Sequence, residues 1–551
     1  MQLIRKNKND MKKGIILFLL CCVAFFVNNS VILPDIMESR NIVTAREMVH
    51  DGNWMVPTMN GELRLEKPPL PTWIAGAVEY ITPDNISAQR AMAGLAGMVL
   101  ICFFYLLGEK ITRNKDYAFI ASLLLLTCYN VILMGRTATW DIYCHAFMMG
   151  AIYFMYRGFY EDKHIYKWFL WAGIFLGLSF LSKGPVSFYA LLLPFLICTF
   201  VYKKPQVKGK GIAITIMILL CLILSSWWYL YIWEFHQEAV QCVLHKESSA
   251  WADHNVRPWY YYWKFFLETG VWSLLMITTL MIPFWKKRVQ FHREYIFAIS
   301  WTLIMLVLLS FMPEKKPRYL LPMMIPCCYS MAYLIFYWWK QSYVDNVDKW
   351  IYRINAGLIS IACFALPIAM YIMFYRKGTV STCMFLFLTI LLWTVTTYIL
   401  YSTYKGKPVN FVYGVVALFA IAELFLMPFI GDVANNPDFK SIKKTREIKS
   451  LDKLPFYSNN NESLRIELVY AANRKILPLN IKDEKQIIKS LPCVILTHKR
   501  VGQEFPTAMW NKIDTSYIGC FNDNRRPKSN MHYSEDFVYN ATILKLKTCS
   551  K

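Results

Sequence analysis

Six groups of charged residues lie beside long apolar segments of this 551-residue chain, and their side chains could do acid–base or anion-binding chemistry. The first group directly follows an apolar segment and contains Asp35, Glu38 and Arg40. A carboxylate at such a boundary can act as a general base on a hydroxyl or a phosphate. The second group, Glu66-Lys67, precedes two prolines, which fix the backbone that presents both charges.

The other four groups combine cations with carboxylates or imidazoles. They are Arg136 with Asp141; Lys183 before Gly184-Pro185; His236, His245, His254 and Arg257 in one long segment; and Glu314, Lys315, Lys316 and Arg318 in one turn that two prolines stiffen. Three of the nine histidines in one segment indicate metal or proton chemistry. Charged groups at a membrane boundary are costly, so each of them implies a partner or a role.

The cations of these groups form a set that could hold a phosphate while a base acts beside it. The set consists of Arg40, Lys67, Lys183, Arg257, Lys315, Lys316 and Arg318. Lys183 is a lone lysine in a tight turn, for which an anion is the natural partner. Asp35, Glu38 and Asp141 are the candidate bases.

The elements that position these residues are predicted to be membrane-spanning helices. The mean hydropathy is +0.31, and 56% of the residues are hydrophobic while only 18% are charged. A bilayer core takes about 20 apolar residues per helix, and about thirteen such stretches occur. They cover residues 14–33, 88–108, 117–135, 140–158, 166–182, 185–202, 211–233, 268–285, 294–312, 318–339, 351–375, 383–402 and 411–431. The sequence predicts a polytopic α-helical membrane protein.

The distribution of basic residues predicts the orientation of these spans. Most Lys and Arg residues occupy the N-terminus and alternate short loops, which positive-inside topology assigns to the cytoplasm. The net charge of +23 therefore does not indicate a nucleic-acid partner. With a cytoplasmic N-terminus and an odd number of spans, all six charged groups and the tail after residue 431 lie outside the cytoplasm.

Two segments between spans are too long to be simple turns, which indicates functional loops. They cover residues 34–87 and 234–267, within a transmembrane domain of residues 1–431. Apolar residues at helical spacing between positions 41 and 50 predict a helix along the membrane interface. The tail of residues 432–551 has short apolar runs and, from Asp483 to Ser490, a helix with a capping aspartate. It is predicted to be a small extracytoplasmic α/β domain.

The order of motifs resembles the C-type glycosyltransferases, specifically the lipid A aminoarabinose transferases and bacterial relatives of the protein O-mannosyltransferase superfamily. The matching pieces are Glu38-x-Arg40, Arg46-Glu47-Met48, Asp51-Gly52-Asn53-Trp54, Pro57, Asn60-Gly61-Glu62, Glu66-Lys67-Pro68-Pro69, Arg136-(x4)-Asp141, Lys183-Gly184-Pro185, His254-(x2)-Arg257-Pro258-Trp259-Tyr260-Tyr261 and Lys315-(x2)-Arg318-Tyr319-x-Leu321-Pro322. The pieces occur in order between residues 35 and 322.

The resemblance implies a sugar donor linked to polyprenyl phosphate, inverting transfer without a nucleotide, and an inner-membrane location with a periplasmic tail. It implies that Lys67, Lys183 and Arg257 belong to the carrier-phosphate region. It also implies that Glu66 and His254 hold a divalent ion, which is zinc in the aminoarabinose transferases. The first loop carries the catalytic carboxylate in that family.

The sequence departs from the family pattern at that carboxylate. The family usually has Asp-Glu-x-Arg-Tyr, but here the aspartate position is Met37 and the tyrosine position is Asn41. Asp35 stands two residues before the expected place. Either Asp35 or Glu38 must take the role, with Asp141 as a further candidate, and the sequence leaves this choice open.

The acceptor also stays open between lipid A, another glycolipid or glycan, and a protein hydroxyl. A transporter or flippase of lipid-linked sugars is the alternative from another class, because intramembrane charges suit it too. The charged groups cluster at one predicted face rather than near the bilayer midplane, which favours the transferase.

Overall fold

The computed structural model describes residues 2–253, 255–341, 345–431 and 436–547. The helices before residue 240 are α1 Gln2–Phe26, α2 Ile36–Asp51, α3 Leu70–Ile81, α4 Ile86–Thr112, α5 Lys115–Leu126, α6 Tyr129–Gly135, α7 Trp140–Tyr160, α8 Ile165–Lys183, α9 Leu193–Tyr202, α10 Gly211–Phe235 and α11 Gln237–Asp253. The later helices are α12 Ser273–Thr279, α13 Ile282–Trp285, α14 His292–Phe311, α15 Met324–Lys340, α16 Asn346–Met370, α17 Thr382–Tyr404, α18 Pro408–Ile421, α19 Met427–Ile430, α20 Ile466–Ala472, α21 Glu484–Ser490 and α22 Val501–Glu504.

Seven strands lie in the part of the chain that the structure describes. They are β1 Thr58–Met59, β2 Glu62–Leu63, β3 Phe456–Asn459, β4 Ile476–Leu479, β5 Cys493–Thr497, β6 Ile513–Asn522 and β7 Val538–Leu546. A two-residue turn, Asn60-Gly61, joins β1 to β2, and both residues have positive φ, 55° and 82°. Such a turn matches the twist of an antiparallel pair, and asparagine and glycine adopt it with little strain.

Long apolar helices confirm that the chain is a multi-pass helical membrane protein. Among the described residues, eight helices are long and apolar enough to cross a membrane, or nine if α5 and α6, bent by 71°, form one span. Every predicted apolar stretch contains helix, but several of these helices are short or broken. The number of about thirteen spans therefore stays a prediction.

The chain divides into two compact units. Unit 1 contains residues 1–31, 65–71 and 86–429, and unit 2 contains residues 32–64, 72–85 and 430–551. This division differs from the predicted domains, because most of the first long loop belongs to the same unit as the C-terminal tail. The loop segment 65–71, which carries Glu66 and Lys67, remains with the helices of unit 1.

Unit 2 is built on a five-stranded sheet with the order β4-β3-β5-β7-β6. The three strands β4, β3 and β5 are parallel, and β7 pairs antiparallel with β5 and β6. The predicted cap of α21 is confirmed, since the Asp483 carboxylate accepts from the backbone amides of Lys485 (3.0 Å) and Gln486 (3.3 Å). The apolar run that begins at Ile466 forms a helix, α20.

The first loop packs against this sheet through α2 and the β1–β2 turn. The Asn60 side chain donates to the Ile476 carbonyl at 2.7 Å and accepts from the Ile476 amide at 2.8 Å, so it bonds β4 as a backbone would. Val43 of α2 belongs to the apolar core of the sheet. The prediction of an interface helix over residues 41–50 is wrong in one respect. The helix forms, but residues 41–48 are all buried, whereas an interface helix keeps a solvated polar face.

Candidate functional site

An ion pair between Lys183 and Asp141 lies at the centre of the candidate site in unit 1. Lys183 is the last residue of α8, which ends there because Gly184 adopts a φ of 67°. Asp141 lies in the first turn of α7. Both side chains are buried, with 8% and 2% of their surface exposed. Lys183 is therefore not the lone cation that the sequence suggested, because a buried carboxylate compensates its charge.

The turn from Pro313 to Tyr319 adds an aromatic ring and further charges. The Lys183 ammonium lies 5.1 Å from the centre of the Tyr319 ring, which suits a cation–π contact. The Tyr319 hydroxyl donates to Glu314 at 3.0 Å, and Glu314 forms an ion pair with Lys316. Arg318 acts electrostatically on Asp141. The predicted cations Lys183, Lys316 and Arg318 are thus brought to one place.

A second segment fixes the backbone of this turn. Val256 forms an antiparallel bridge with Glu314, and the Tyr262 hydroxyl accepts from the Lys316 amide at 2.9 Å. The Lys315 ammonium donates to the Arg257 carbonyl at 3.2 Å and to the Met312 carbonyl. Burial lowers the pKa of Lys315. Two of the three ammonium hydrogens of Lys315 thus hold the two segments together, which leaves one donor for a phosphate.

Arg257 lies beside this bridge with an exposed side chain. Its amide donates to the Pro313 carbonyl at 3.4 Å, so its backbone belongs to the same pairing. Unlike the Lys315 ammonium, the Arg257 guanidinium has no hydrogen bond or ion pair with another described residue. An exposed cation on a fixed backbone remains suited to an anionic ligand.

Glu66 and Lys67 pair with two adjacent residues of α11. The Lys67 ammonium lies 3.3 Å from Glu247, and the Lys246 ammonium lies 3.5 Å from Glu66. Sequence reasoning overlooked Glu247. The signal was present, because Lys246-Glu247 repeats the motif Glu66-Lys67 with the charges reversed, in the second long loop.

Lys67 and Lys183 lie close enough to repel one another. Burial lowers the pKa of Lys67, and the positive charge of Lys183 lowers it further, whereas Glu247 acts in the opposite direction. An anion that binds between two cations stabilises the charged form of both, because it offsets their mutual repulsion. The structure thus brings together Lys67, Lys183 and Arg318 in a set that favours a phosphate.

Of the two predicted metal ligands, Glu66 lies among the described residues. Among the described residues, the Glu66 Oε2 atom is buried and has no hydrogen-bond partner, so it retains a lone pair for a cation. The described ranges contain no group of three His, Cys, Asp or Glu side chains that could hold a metal ion. His254, the other predicted ligand, lies outside the described residues. Glu66 by itself fits a metal ligand.

The predicted catalytic carboxylates Asp35 and Glu38 belong to unit 2, as does Arg40. Asp35 is the N-cap of α2, with its carboxylate accepting from the Glu38 amide at 2.8 Å. A proline before Asp35 favours a helical turn that contains this aspartate, but the helix begins at Ile36 and Asp35 is extended. Glu38 is buried, Asp35 is exposed and Arg40 is half-buried.

Arg136 does not join the cluster around Lys183 through its own contacts. Its guanidinium pairs with Glu423 at 2.8 Å and donates to the carbonyls of Ala24 (2.7 Å) and Val27 (2.6 Å). These partners tie α6 to the end of α1 and to the π-helical turn Ala422–Leu426. Arg136 thus holds the helices together, although it shares a short turn with Asp141 in the sequence.

Comparison with known proteins gives matches to transferases that use lipid-linked sugars. Residues 66–229 match the family model described as dolichyl-phosphate-mannose-protein mannosyltransferase. An undecaprenyl phosphate-alpha-4-amino-4-deoxy-L-arabinose arabinosyl transferase from Yersinia enterocolitica is 29% identical over 311 residues, which are 54% of each chain. A second such transferase, from Proteus mirabilis, is 26% identical over 344 residues, covering 59% of this chain and 60% of its own. The chain thus spans between half and two thirds of these curated relatives.

Solved structures extend the likeness over nearly the whole chain. The crystal structure of ArnT from Cupriavidus metallidurans bound to undecaprenyl phosphate has a TM-score of 0.69 and 15% identity, covering 96% of this chain and 97% of that one. The structure of the same protein in the apo state has a TM-score of 0.65. The chain therefore shares the fold of ArnT, and the resemblance to lipid A aminoarabinose transferases is confirmed.

Proposed function

We propose that this protein transfers a sugar from a polyprenyl phosphate carrier to an acceptor outside the cytoplasm, with lipid A as the favoured acceptor. The observation that carries this proposal is the meeting of Lys67, Lys183 and Arg318 in unit 1. The arabinosyl transferases that match this chain are named for an undecaprenyl phosphate-linked sugar. A carrier phosphate is the anion that would relieve the repulsion between Lys67 and Lys183.

The reaction is a displacement at the anomeric carbon of the sugar. An acceptor oxygen forms a bond to that carbon while the bond to the carrier phosphate oxygen breaks, and the electron pair leaves with the phosphate. The products are the glycosylated acceptor and polyprenyl phosphate. Attack from the opposite face inverts the anomeric configuration. The cations Lys67, Lys183 and Arg318 would stabilise the negative charge that develops on the phosphate.

We assign Asp141 as a positioning residue rather than a base. Its carboxylate is paired with Lys183 and is under the influence of Arg318, so it is poorly placed to take a further proton. It holds the Lys183 ammonium at the end of α8. The proton of a hydroxyl acceptor would pass to Asp35 or Glu38, while a phosphate acceptor arrives ionised and needs less help.

We further propose that Glu66 and His254 hold a divalent ion, with zinc as the favoured metal. The support is the buried Glu66 oxygen, which has no hydrogen-bond partner among the described residues. When bound, such an ion would supply additional positive charge for the carrier phosphate. Two protein ligands leave a weak, open site, so the carrier would strengthen the binding of the ion.

For the location, we propose an inner membrane with the N-terminus in the cytoplasm and the tail of residues 432–551 in the periplasm. The support is the excess of Lys and Arg in alternate short loops. This orientation places the donor site on the outer side.

The test is transfer by the purified full-length chain in detergent, with a polyprenyl phosphate sugar and either lipid A, a glycan or a peptide as acceptor. Mass spectrometry should detect the glycosylated acceptor and free polyprenyl phosphate without a gradient or second compartment. Lys183→Ala should lose the product, whereas Lys204→Ala, a change of an exposed lysine at the end of another helix, should keep it. A protein that moves the donor across proteoliposomes but never forms product with any acceptor would be a flippase.

A further inference from the structure

Six exposed cations form one surface of unit 2, and the site described above uses none of them. They are Lys440, Lys443, Lys444, Arg525, Arg526 and Lys528, which we call the basic surface. The two segments that carry them, 436–444 and 522–530, contain only two carboxylates, Asp438 and Asp523. The Asp523 carboxylate already accepts from the Ser441 hydroxyl and from the Ile442 amide at 2.9 Å.

The two segments are neighbours in the fold. Lys440 and Asn522 form a bridge in which each amide donates to the other's carbonyl at 2.9 Å. The bonds of Asp523 to Ser441 and Ile442 extend this contact. The cations of both segments therefore belong to one surface rather than to two separate loops.

The covalent chain limits how far Lys440 can lie from the end of a candidate membrane span. The candidate span Pro408–Ile430 ends ten residues before Lys440. Even fully extended, ten residues reach only about 35 Å. A second tie lies within unit 2, where the Arg446 guanidinium pairs with Asp84 at 2.6 Å. Asp84 stands two residues before the candidate span that begins at Ile86.

Apolar side chains stand among these charges. Phe439, next to Lys440, is 40% exposed, and Met531, near Lys528, is 90% exposed. Cations interspersed with exposed apolar groups suit the boundary between lipid headgroups and acyl chains, where both are accommodated. Apart from Arg525, whose guanidinium donates to the Pro34 carbonyl, the cations of the basic surface form one ion pair among the described residues, a distant one of 3.9 Å between Lys528 and Glu535.

We propose that the basic surface binds the phosphate headgroups of anionic lipids in the leaflet next to these spans. The proposal does not depend on the transferase activity. Clusters of lysine and arginine next to membrane helices bind anionic lipids through their phosphates. Phosphate-bearing lipids would therefore collect beside unit 2. Each cation near an anionic surface is worth about a fivefold change in affinity.

The test uses the full-length protein in nanodiscs of phosphatidylcholine with increasing amounts of phosphatidylglycerol. Hydrogen–deuterium exchange should show slower exchange of the amides of 438–445 and 522–530 as phosphatidylglycerol is added. Lys443→Glu/Lys444→Glu should raise the phosphatidylglycerol content needed for half-maximal protection at least about tenfold. Arg526→Glu/Lys528→Glu, on the other segment, should do the same, so the test survives if one variant fails to fold.

The control is Lys485→Glu/Lys489→Glu, which makes the same charge change at exposed positions of α21. α21 forms an ion pair, Glu484–Lys512, with the residue before β6, whereas the basic surface adjoins Asn522 at the other end of that strand. The control variant should therefore leave the protection unchanged. Equal exchange in both lipid mixtures would overturn the proposal, as would full protection in both charge-reversed variants. Equal protection by inorganic phosphate in pure phosphatidylcholine would assign the surface to a free anion rather than to lipid.

Discussion

The ion pair between Lys67 and Glu247 predicts that removing a negative charge strengthens donor binding. The Glu247 carboxylate lies 3.3 Å from the Lys67 ammonium. If the proposed site is correct, the carrier phosphate must take the place of this carboxylate beside Lys67. Glu247→Gln keeps the size of the side chain but removes its charge. The phosphate then no longer competes with a carboxylate, so polyprenyl phosphate should bind more tightly near neutral pH.

The expected magnitude follows from the exposure of the pair. The Lys67 and Glu247 side chains are 30% and 44% exposed, so solvent screens much of their attraction. Pairs of this kind contribute between about 0.2 and 1 kcal/mol. The dissociation constant of polyprenyl phosphate should therefore fall by up to about fivefold. Glu238→Gln, an exposed position on the same helix, is the matched control and should leave it unchanged.

The pH dependence provides a second test of the same pair. Binding needs protonated Lys67, and burial already lowers the pKa of Lys67, so affinity should decline as the pH rises through that pKa. Glu247 opposes this lowering, so the decline in Glu247→Gln should begin at a lower pH than in wild type. Titration calorimetry with undecaprenyl phosphate in detergent at several pH values measures both effects. Weaker binding at neutral pH, or an unshifted pH profile, would refute the reasoning.

Three further predictions concern the other charged residues. Lys183→Ala should lower transfer about ten- to a hundredfold. It should also lower the melting temperature, because Asp141 is left buried without its partner at a cost of about 3–5 kcal/mol. The double variant Lys183→Met/Asp141→Asn should recover the melting temperature but not transfer. Asp35→Asn keeps a capping oxygen, so its melting temperature should stay near wild type while transfer falls more than about tenfold, and Glu38→Gln should lose somewhat less; if both amides transfer normally, the base lies elsewhere. Elemental analysis should find zinc that increases with added polyprenyl phosphate and decreases in Glu66→Gln, and an unchanged metal content in that variant would remove Glu66 as a ligand.

Much of the helical architecture could be predicted because a span is a local property of the sequence. A run of about 20 apolar residues can be recognised directly in the sequence. The Asp483 cap of α21 depends on neighbours only two or three positions away. The bend of 71° between α5 and α6 has no such local signal in an apolar run of normal length. The packing of the whole bundle decides where a span breaks.

The charged groups were located from the sequence, but their partners were not. The Lys183–Asp141 pair joins residues 42 positions apart, and the Lys67–Glu247 pair joins residues 180 positions apart. Neither separation follows a helical or strand period, so only the fold brings them together. The partners of Arg136 could not be predicted either. Arg136 is close to Asp141 in the sequence, but its guanidinium bonds a carbonyl of α1 and pairs with Glu423.

The pairing of Asn60 with the backbone of Ile476 has a consequence for biosynthesis. The first two segments of unit 2 are separated from its third by residues 86–429 of unit 1, so the first loop leaves the ribosome long before its sheet exists. At typical synthesis rates of about 5–20 residues per second, this interval lasts roughly 20–70 seconds. During that time the buried face of α2 has no sheet to cover it, which makes the nascent first loop a natural substrate for chaperones. A chain that stops before the tail would leave the loop permanently in that condition.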